Sequence, residues 1–115
     1  MTGSACLFCR IVRREVPATV VHEDEAMLAF RDIAPKAPVH LLVIPKKHID
    51  GLSQLDAGDG ALVARLLISV PMLARQEGLV SGYRTVINSG ADGGQTVFHL
   101  HLHVLGGRPM TWPPG

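Results

Sequence analysis

The chain has 115 residues, eleven basic and ten acidic, for a net charge of +1; 47% of its residues are hydrophobic and 18% charged. That length suits a single domain over residues 1–115, and that composition can supply a core, so disorder and a second domain are not expected. The balanced charge argues against duplex nucleic acid or an anionic membrane as partner, while leaving room for a local site for a small anion.

Residues 5–14 hold Leu7, Phe8, Ile11 and Val12 at helical spacing, which predicts a short helix. This segment lacks the continuous apolar stretch of a signal peptide, and no apolar run approaches the length of a transmembrane helix. A cytoplasmic protein with reduced Cys6 and Cys9 is the expectation. The lone Cys-x-x-Cys pair has the spacing of half a zinc site and cannot make a disulfide framework.

Thr19 to Glu23 reads as a strand, followed by a turn at Asp24-Glu25 and a second strand from Met27 to Arg31. Pro35 and Pro38 punctuate a loop. His40 to Pro45 reads as a third, largely buried strand, ending at a proline that cannot continue a central ladder. Asp56 to Glu77 is the main helical segment, with an apolar stripe of Leu62, Val63, Leu66, Leu67 and Val70. Pro71 lies inside it and predicts a kink or a break. Tyr83 to Asn88 is a fourth strand, Ser89 to Thr96 a glycine-rich loop, and Phe98 to Leu105 a fifth strand. The tail Thr111-Trp112-Pro113-Pro114-Gly115 is irregular. Short hairpin-connected strands flanked by helices indicate an α+β domain.

The fifth strand carries the chemistry. His99, His101 and His103 alternate with Leu100, Leu102 and Val104, so a strand puts three imidazoles on one face and an apolar set on the other. A neutral imidazole is a nucleophile and proton carrier near neutral pH. The preceding loop offers backbone N–H groups freed by three glycines, with Asn88, Gln95 and the Thr96 hydroxyl as neutral donors. It lacks the Gly-Lys-Ser/Thr ending of a P-loop. From spacing alone, a phosphate site and a catalytic metal site with a third ligand from His40 or a carboxylate both remain open.

His99-Leu100-His101-Leu102-His103-Val104-Leu105 resembles the His-φ-His-φ-His-φ-φ motif (φ apolar) of the histidine-triad superfamily. Phe30 to Pro35, Ala37 to His40, Val43 to Ile49, Asp92 to Gln95, Leu105 to Arg108 and the terminal Trp112 to Gly115 resemble its HINT branch. The resemblance implies a five-stranded antiparallel sheet with a short N-terminal and a longer central helix, paired into a homodimer with a continuous sheet.

It further implies a purine nucleoside phosphoramidase, a nucleotidyl hydrolase that cleaves the P–N bond of adenosine 5′-phosphoramidates and releases AMP. His101 would be the nucleophile, His103 would hydrogen-bond the phosphate, and His40 would support the imidazoles. Thr96 and the backbone near Gly94 and Gln95 would stabilise the phosphate oxygens. Asp32 would accept the ribose hydroxyls, or equally cap the turn before Pro35. Phe8, Ile11, Phe30, Ile33 and Leu42 match the apolar base pocket, though each could be ordinary core. No cofactor is implied for catalysis. A structural zinc held by Cys6, Cys9, His48 and His99 is implied by bacterial-type relatives, which would make His99 a clamp rather than a reacting group. Thr96 stands where serine is usual, Arg31 where histidine is common, and Pro71 interrupts the central helix. An AMP-binding regulatory module with vestigial hydrolysis and a metal-dependent hydrolase are the competing classes.

Overall fold

A computed structural model describes residues 5–115. Helix α1 (Leu7–Val12) is capped by Cys6, whose sulfur accepts the Cys9 amide at 3.4 Å. Six residues do not make a stable helix alone. Phe8, Cys9 and Ile11 hold it by burying against the sheet.

That sheet has five strands: β1 (Val20–Glu23), β2 (Met27–Arg31), β3 (Val39–Pro45), β4 (Tyr83–Val86) and β5 (Leu102–Gly106). Their order is β1-β2-β3-β5-β4, and every neighbouring pair is antiparallel. Asp24 closes the first hairpin by accepting the amides of Ala26 and Met27 at 2.8 and 2.9 Å.

Both faces of the sheet are covered. Met27, Ala29, Leu41, Val43, Leu102 and Val104 pack with Leu66, Val70 and Leu73 of helix α2 (Gly60–Gln76). Leu28, Phe30, Leu42 and Ile44 pack on the opposite side with Cys6, Phe8, Cys9 and Ile11. A strand covered on both faces reads as a continuous apolar run, and β3 does so from Leu41 to Ile44. Leu42 of β3 pairs with His103 of β5, so the alternation puts His40, Leu42 and His103 together on the α1 face.

Several boundaries differ from the sequence reading. Strand β5 begins at Leu102, not Phe98, and β4 ends at Val86, not Asn88. His99 and His101 therefore lie on the irregular approach to β5, and Leu100 bonds through its amide to the Ile49 carbonyl at 2.7 Å instead of to a ladder. The helical segment opens with a 3-10 turn, Ala57–Asp59, in which the Asp56 and Asp59 side chains cap each other's backbone. Helix α2 then runs through Pro71 without a break. Pro71 sits on the exposed side while Val70, Leu73 and Ala74 are buried, so packing outweighs the one lost hydrogen bond.

Ala57–Gln76 is helical over 20 residues, and an 18-residue window in it has a mean hydropathy of 1.4, but Asp59, Arg65 and Arg75 interrupt it, so it holds no continuous apolar run of that length. Here Leu66, Val70 and Leu73 face the sheet, and Arg65 pairs with Asp24 and Glu25 at 3.0 and 2.8 Å.

Candidate active site

Hydrogen bonds fix the proton positions of five imidazoles. A carbonyl only accepts, so the 2.7 Å contact of His101 Nδ1 with the His99 carbonyl puts the proton on Nδ1. Its Nε2 keeps a lone pair, as a nucleophile requires. The Lys36 amide donates to His40 Nδ1 at 3.0 Å, so the His40 proton is on Nε2. That Nε2–H donates to His103 Nδ1 at 2.8 Å, leaving the His103 proton on Nε2. His99 Nε2–H donates to the Pro45 carbonyl at 2.8 Å, and His48 Nε2–H to Asp50 Oδ1 at 2.7 Å.

Burial favours the neutral form of His40, His99, His101 and His103. It pushes the ionisation of His103 down to about 4, with help from the neighbouring His101 and His40. Burial also lowers His101 and His40, against an upward pull from the Asp32 carboxylate. The His101 and His103 rings lie 5.0 Å apart, and Phe8 meets His101 edge-on at 5.1 Å.

A cavity of about 260 Å³ opens in front of His101 and His103. Phe8, Ile11, Phe30, Asp32, Ile33, Leu42 and Thr96, all proposed from the sequence, line it. Ile33 is 96% exposed and so stands at the mouth, not in the wall. Leu7, Val16, Pro17, Ala18 and Val97 also line it and were missed. Val16 to Ala18 lie in an irregular connection, where periodicity carries no signal. Asp32 does cap its turn, accepting the Ala34 amide at 2.9 Å through Oδ1, while Oδ2 lies 3.4 Å from His40 Nε2.

Asn88, Gly94 and Gln95 do not line the cavity; they build the loop beside it. Asn88 Nδ2 donates to the Gly93 carbonyl at 2.7 Å, and the Gly94 and Gln95 amides donate to Ala91 and Gly90, each at 3.0 Å. The buried Gln95 side chain accepts the Gly90 amide and donates to the Asp50 and Val97 carbonyls. Gly93 must lack a side chain, because a Cβ there would meet the Ser89 nitrogen at 2.8 Å. Thr96 is the first residue past this clamp, and it is exposed toward the cavity.

Arg31 points away. Its guanidinium makes a bidentate pair with Glu77 at 2.8 and 3.0 Å, at the end of α2 and across the sheet from the histidines.

Cys6, Cys9, His48 and His99 form a second cluster, with one donor atom from each within 4.8 Å of the others. His99 Nδ1 lies 3.3 Å from Cys6 Sγ and 3.5 Å from Cys9 Sγ, and His48 Nδ1 lies 3.3 Å from Cys9 Sγ. Tetrahedral zinc with ordinary Zn–S and Zn–N lengths sets such donors about 3.6 Å apart. Both histidines give their other nitrogen to a carbonyl or a carboxylate, as zinc-bound histidines do. Burial pushes the Cys9 thiol up to about 11, so a cation is what would hold it as thiolate. The residues fit a structural metal. Asp32, His40 and His103 also converge, but their 2.8 Å N–N contact is a hydrogen bond, shorter than the about 3.3 Å between two nitrogens on one zinc.

The antiparallel sheet thus presents a lone-pair imidazole beside an apolar, carboxylate-bearing cavity. Residues 13–110 match the HIT domain, and the chain belongs to that family. It is 59% identical over 109 residues to an uncharacterised HIT-like protein of Synechococcus elongatus, covering 95% of this chain and 96% of that one. A HIT family hydrolase from Legionella pneumophila superposes with a TM-score of 0.94 at 58% identity, covering 96% of this chain and 99% of the other. A HIT family hydrolase from Clostridium thermocellum gives 0.90 at 42% identity, with 93% and 94% covered.

Proposed function

We propose that this protein is a nucleotidyl hydrolase that cleaves the P–N bond of purine nucleoside 5′-phosphoramidates. The observation that carries this reading is the His101 tautomer: Nδ1–H is tied to the His99 carbonyl, and Nε2 is left with its lone pair at the cavity. The two structural neighbours named as hydrolases support the class.

The His101 Nε2 lone pair attacks the α-phosphorus. The electron pair of the P–N bond leaves with the amine, which takes up a proton from solvent, and a nucleotidyl-His101 intermediate remains. Water then attacks phosphorus, its proton goes to solvent, and His101 regains its lone pair as the nucleoside monophosphate departs. His103 Nε2–H and the Thr96 hydroxyl are the donors for charge developing on the phosphate oxygens. Gly94, Gln95 and Asn88 contribute by holding the loop that presents Thr96. Asp32 takes the ribose hydroxyls, and Phe8, Ile11, Phe30, Ile33 and Leu42 surround the base, giving an apolar cavity with few polar groups.

Zinc held by Cys6, Cys9, His48 and His99 would supply structural cross-linking of α1 to the approach of β5, with no part in bond making. The two free thiols suit a reducing compartment such as the cytoplasm. A homodimer through the outer edge of β4 fits the exposed Ile68 and Val80 and the cleft of about 650 Å³ along Gly78–Arg84 and Gly107–Met110.

Rapid quench of a phosphorus-labelled adenosine 5′-phosphoramidate tests the reading. Label on His101 within one turnover supports it; a folded protein that binds AMP without labelling is a binding module instead.

A further inference from the structure

The sulfur cluster and the cavity share one turn of helix. In Cys6-Leu7-Phe8-Cys9 the outer pair gives its sulfurs to the cluster, and the inner pair lines the cavity. Ile11, further along α1, lines it as well. The Phe8 ring stands between the two sites, meeting His99 of the cluster at 5.8 Å and His101 at 5.1 Å.

Burial holds this turn only in part. Phe8 and Ile11 pack against the sheet on one side and front the open cavity on the other. Leu7 is 44% exposed. So short a helix carries little stability of its own, and the side chain that caps it is the Cys6 sulfur. The remaining anchors are the thiols. His99 and His48 keep their protons on Nε2, so each presents a bare Nδ1 to the sulfurs. Between thiols and imidazoles the joints are S–H···N hydrogen bonds, Cys6 to His99 and Cys9 to His48, and S–H is a weak donor. A cation bound by all four residues replaces both with coordinate bonds and fastens α1 on either side of Leu7 and Phe8.

His101 does not share this dependence. The His99 carbonyl that holds its Nδ1–H is placed by the bonds of His99 to Pro45 and of Leu100 to Ile49, which involve no sulfur.

We propose that Cys6 and Cys9 are positioning residues for the base wall, acting through Leu7 and Phe8: zinc at the cluster tightens a nucleotide in the cavity, and the nucleotide tightens zinc to the same degree. A wall fixed in advance costs the ligand less ordering, so the gain falls on binding and KM and leaves kcat nearly unchanged. This inference deepens the nucleotide reading and rests on it for the cavity's occupant.

The first arm of the test follows zinc passing from the folded holoprotein to a chromogenic chelator, which requires no folded metal-free state. Saturating AMP should slow the transfer about fivefold, the low end of coupling between linked sites. Saturating ribose 5-phosphate, which lacks the base, should leave the rate unchanged. Equal rates with and without AMP, or equal slowing by both ligands, overturn the proposal, because a purely structural metal would not distinguish the two. A protein that takes up no zinc overturns it outright. The second arm needs no nucleotide. Under conditions where both forms are folded by circular dichroism, amide hydrogen exchange in α1 should be about tenfold slower with zinc than after chelation. Exchange in α1 that does not respond to zinc overturns the proposal whatever the cavity takes. Failure of the zinc-loaded protein to bind AMP overturns the nucleotide reading, and the exchange result then decides whether the thiols clamp the wall.

Discussion

His99 gives its Nε2 proton to the Pro45 carbonyl at 2.8 Å, and this one bond turns Nδ1 toward the thiols of Cys6 and Cys9. The first histidine of the motif is thereby committed to the sulfur cluster, and its backbone carbonyl sets the tautomer of His101. Helix α1, too short to persist alone, is held at its N-terminal end by the same cluster.

Replacing a ligand is therefore expected to act on stability first. Cys9→Ser should lose bound zinc and lower the midpoint of thermal unfolding, with turnover per folded molecule reduced far less. A site filled at a hundred times its Kd contributes about 2.7 kcal/mol, which sets the scale of the loss. Zinc content by atomic absorption and calorimetry with and without chelator check this. Abolished activity in a fully folded, zinc-free variant would contradict the structural assignment.

Arg31 stands where histidine is common in the resembling family and borders the cavity, yet its guanidinium is drawn to Glu77 at the end of α2. Arg31→Ala should leave KM and kcat within twofold of wild type. Its guanidinium is 43% exposed, so the ion pair contributes at most about 1 kcal/mol. Urea unfolding and steady-state kinetics measure both; a large rise in KM would place Arg31 in the site.

His103 makes the protein acid-sensitive with a definite sign. Its ionisation is lowered from 6.5 to about 4 on folding, so between those values the unfolded chain binds more protons than the native one. Its contribution to stability is full above about 6.5 and is lost progressively as pH falls toward 4. His103→Gln should flatten that part of the profile of unfolding free energy against pH. An unchanged slope would show that His103 is not buried neutral.

In the proposed homodimer, exposed Ile68 on α2 and the open β4 edge would face the second copy. Ile68→Glu should convert a dimer to a monomer in analytical ultracentrifugation while the circular dichroism spectrum is kept. Deleting residues 110–115 removes Trp112, which is 82% exposed, and the Thr111 carbonyl bonded by Arg84 at 2.7 Å. That truncation should change the relative kcat/KM values of substrates with small and bulky amine leaving groups several-fold. Identical ratios would sink the idea that the tail reaches a site.

Much of this was legible in the sequence because it rests on short-range rules. Short apolar runs bounded by turn residues placed the strands β1 to β3, alternation sorted Leu102 and Val104 from His103, and the apolar stripe located α2. What escaped depends on distant partners. Nothing local says that Leu100 bonds to Ile49, which delays β5 to Leu102, or that Glu77 draws Arg31 across the sheet. Pro71 predicts a kink or a break because its local cost is visible in sequence, whereas the packing of Leu66, Val70 and Leu73 that carries the helix through it is not. The Gln95 side chain looked like a ligand donor and is instead a clamp on its own loop, since its partners at Gly90 and Asp50 appear only once the chain is folded.

The central claim is that His101 forms the covalent bond to phosphorus and needs no metal to do so. Hydrolysis of adenosine 5′-phosphoramidate by wild type and His101→Ala, with AMP release followed in excess chelator, tests it most directly. Wild-type turnover that survives chelation in protein still folded, and that falls by about a thousandfold or more in His101→Ala without loss of AMP affinity, is the predicted result. Turnover retained by His101→Ala, or lost from folded wild type on chelation, would contradict it.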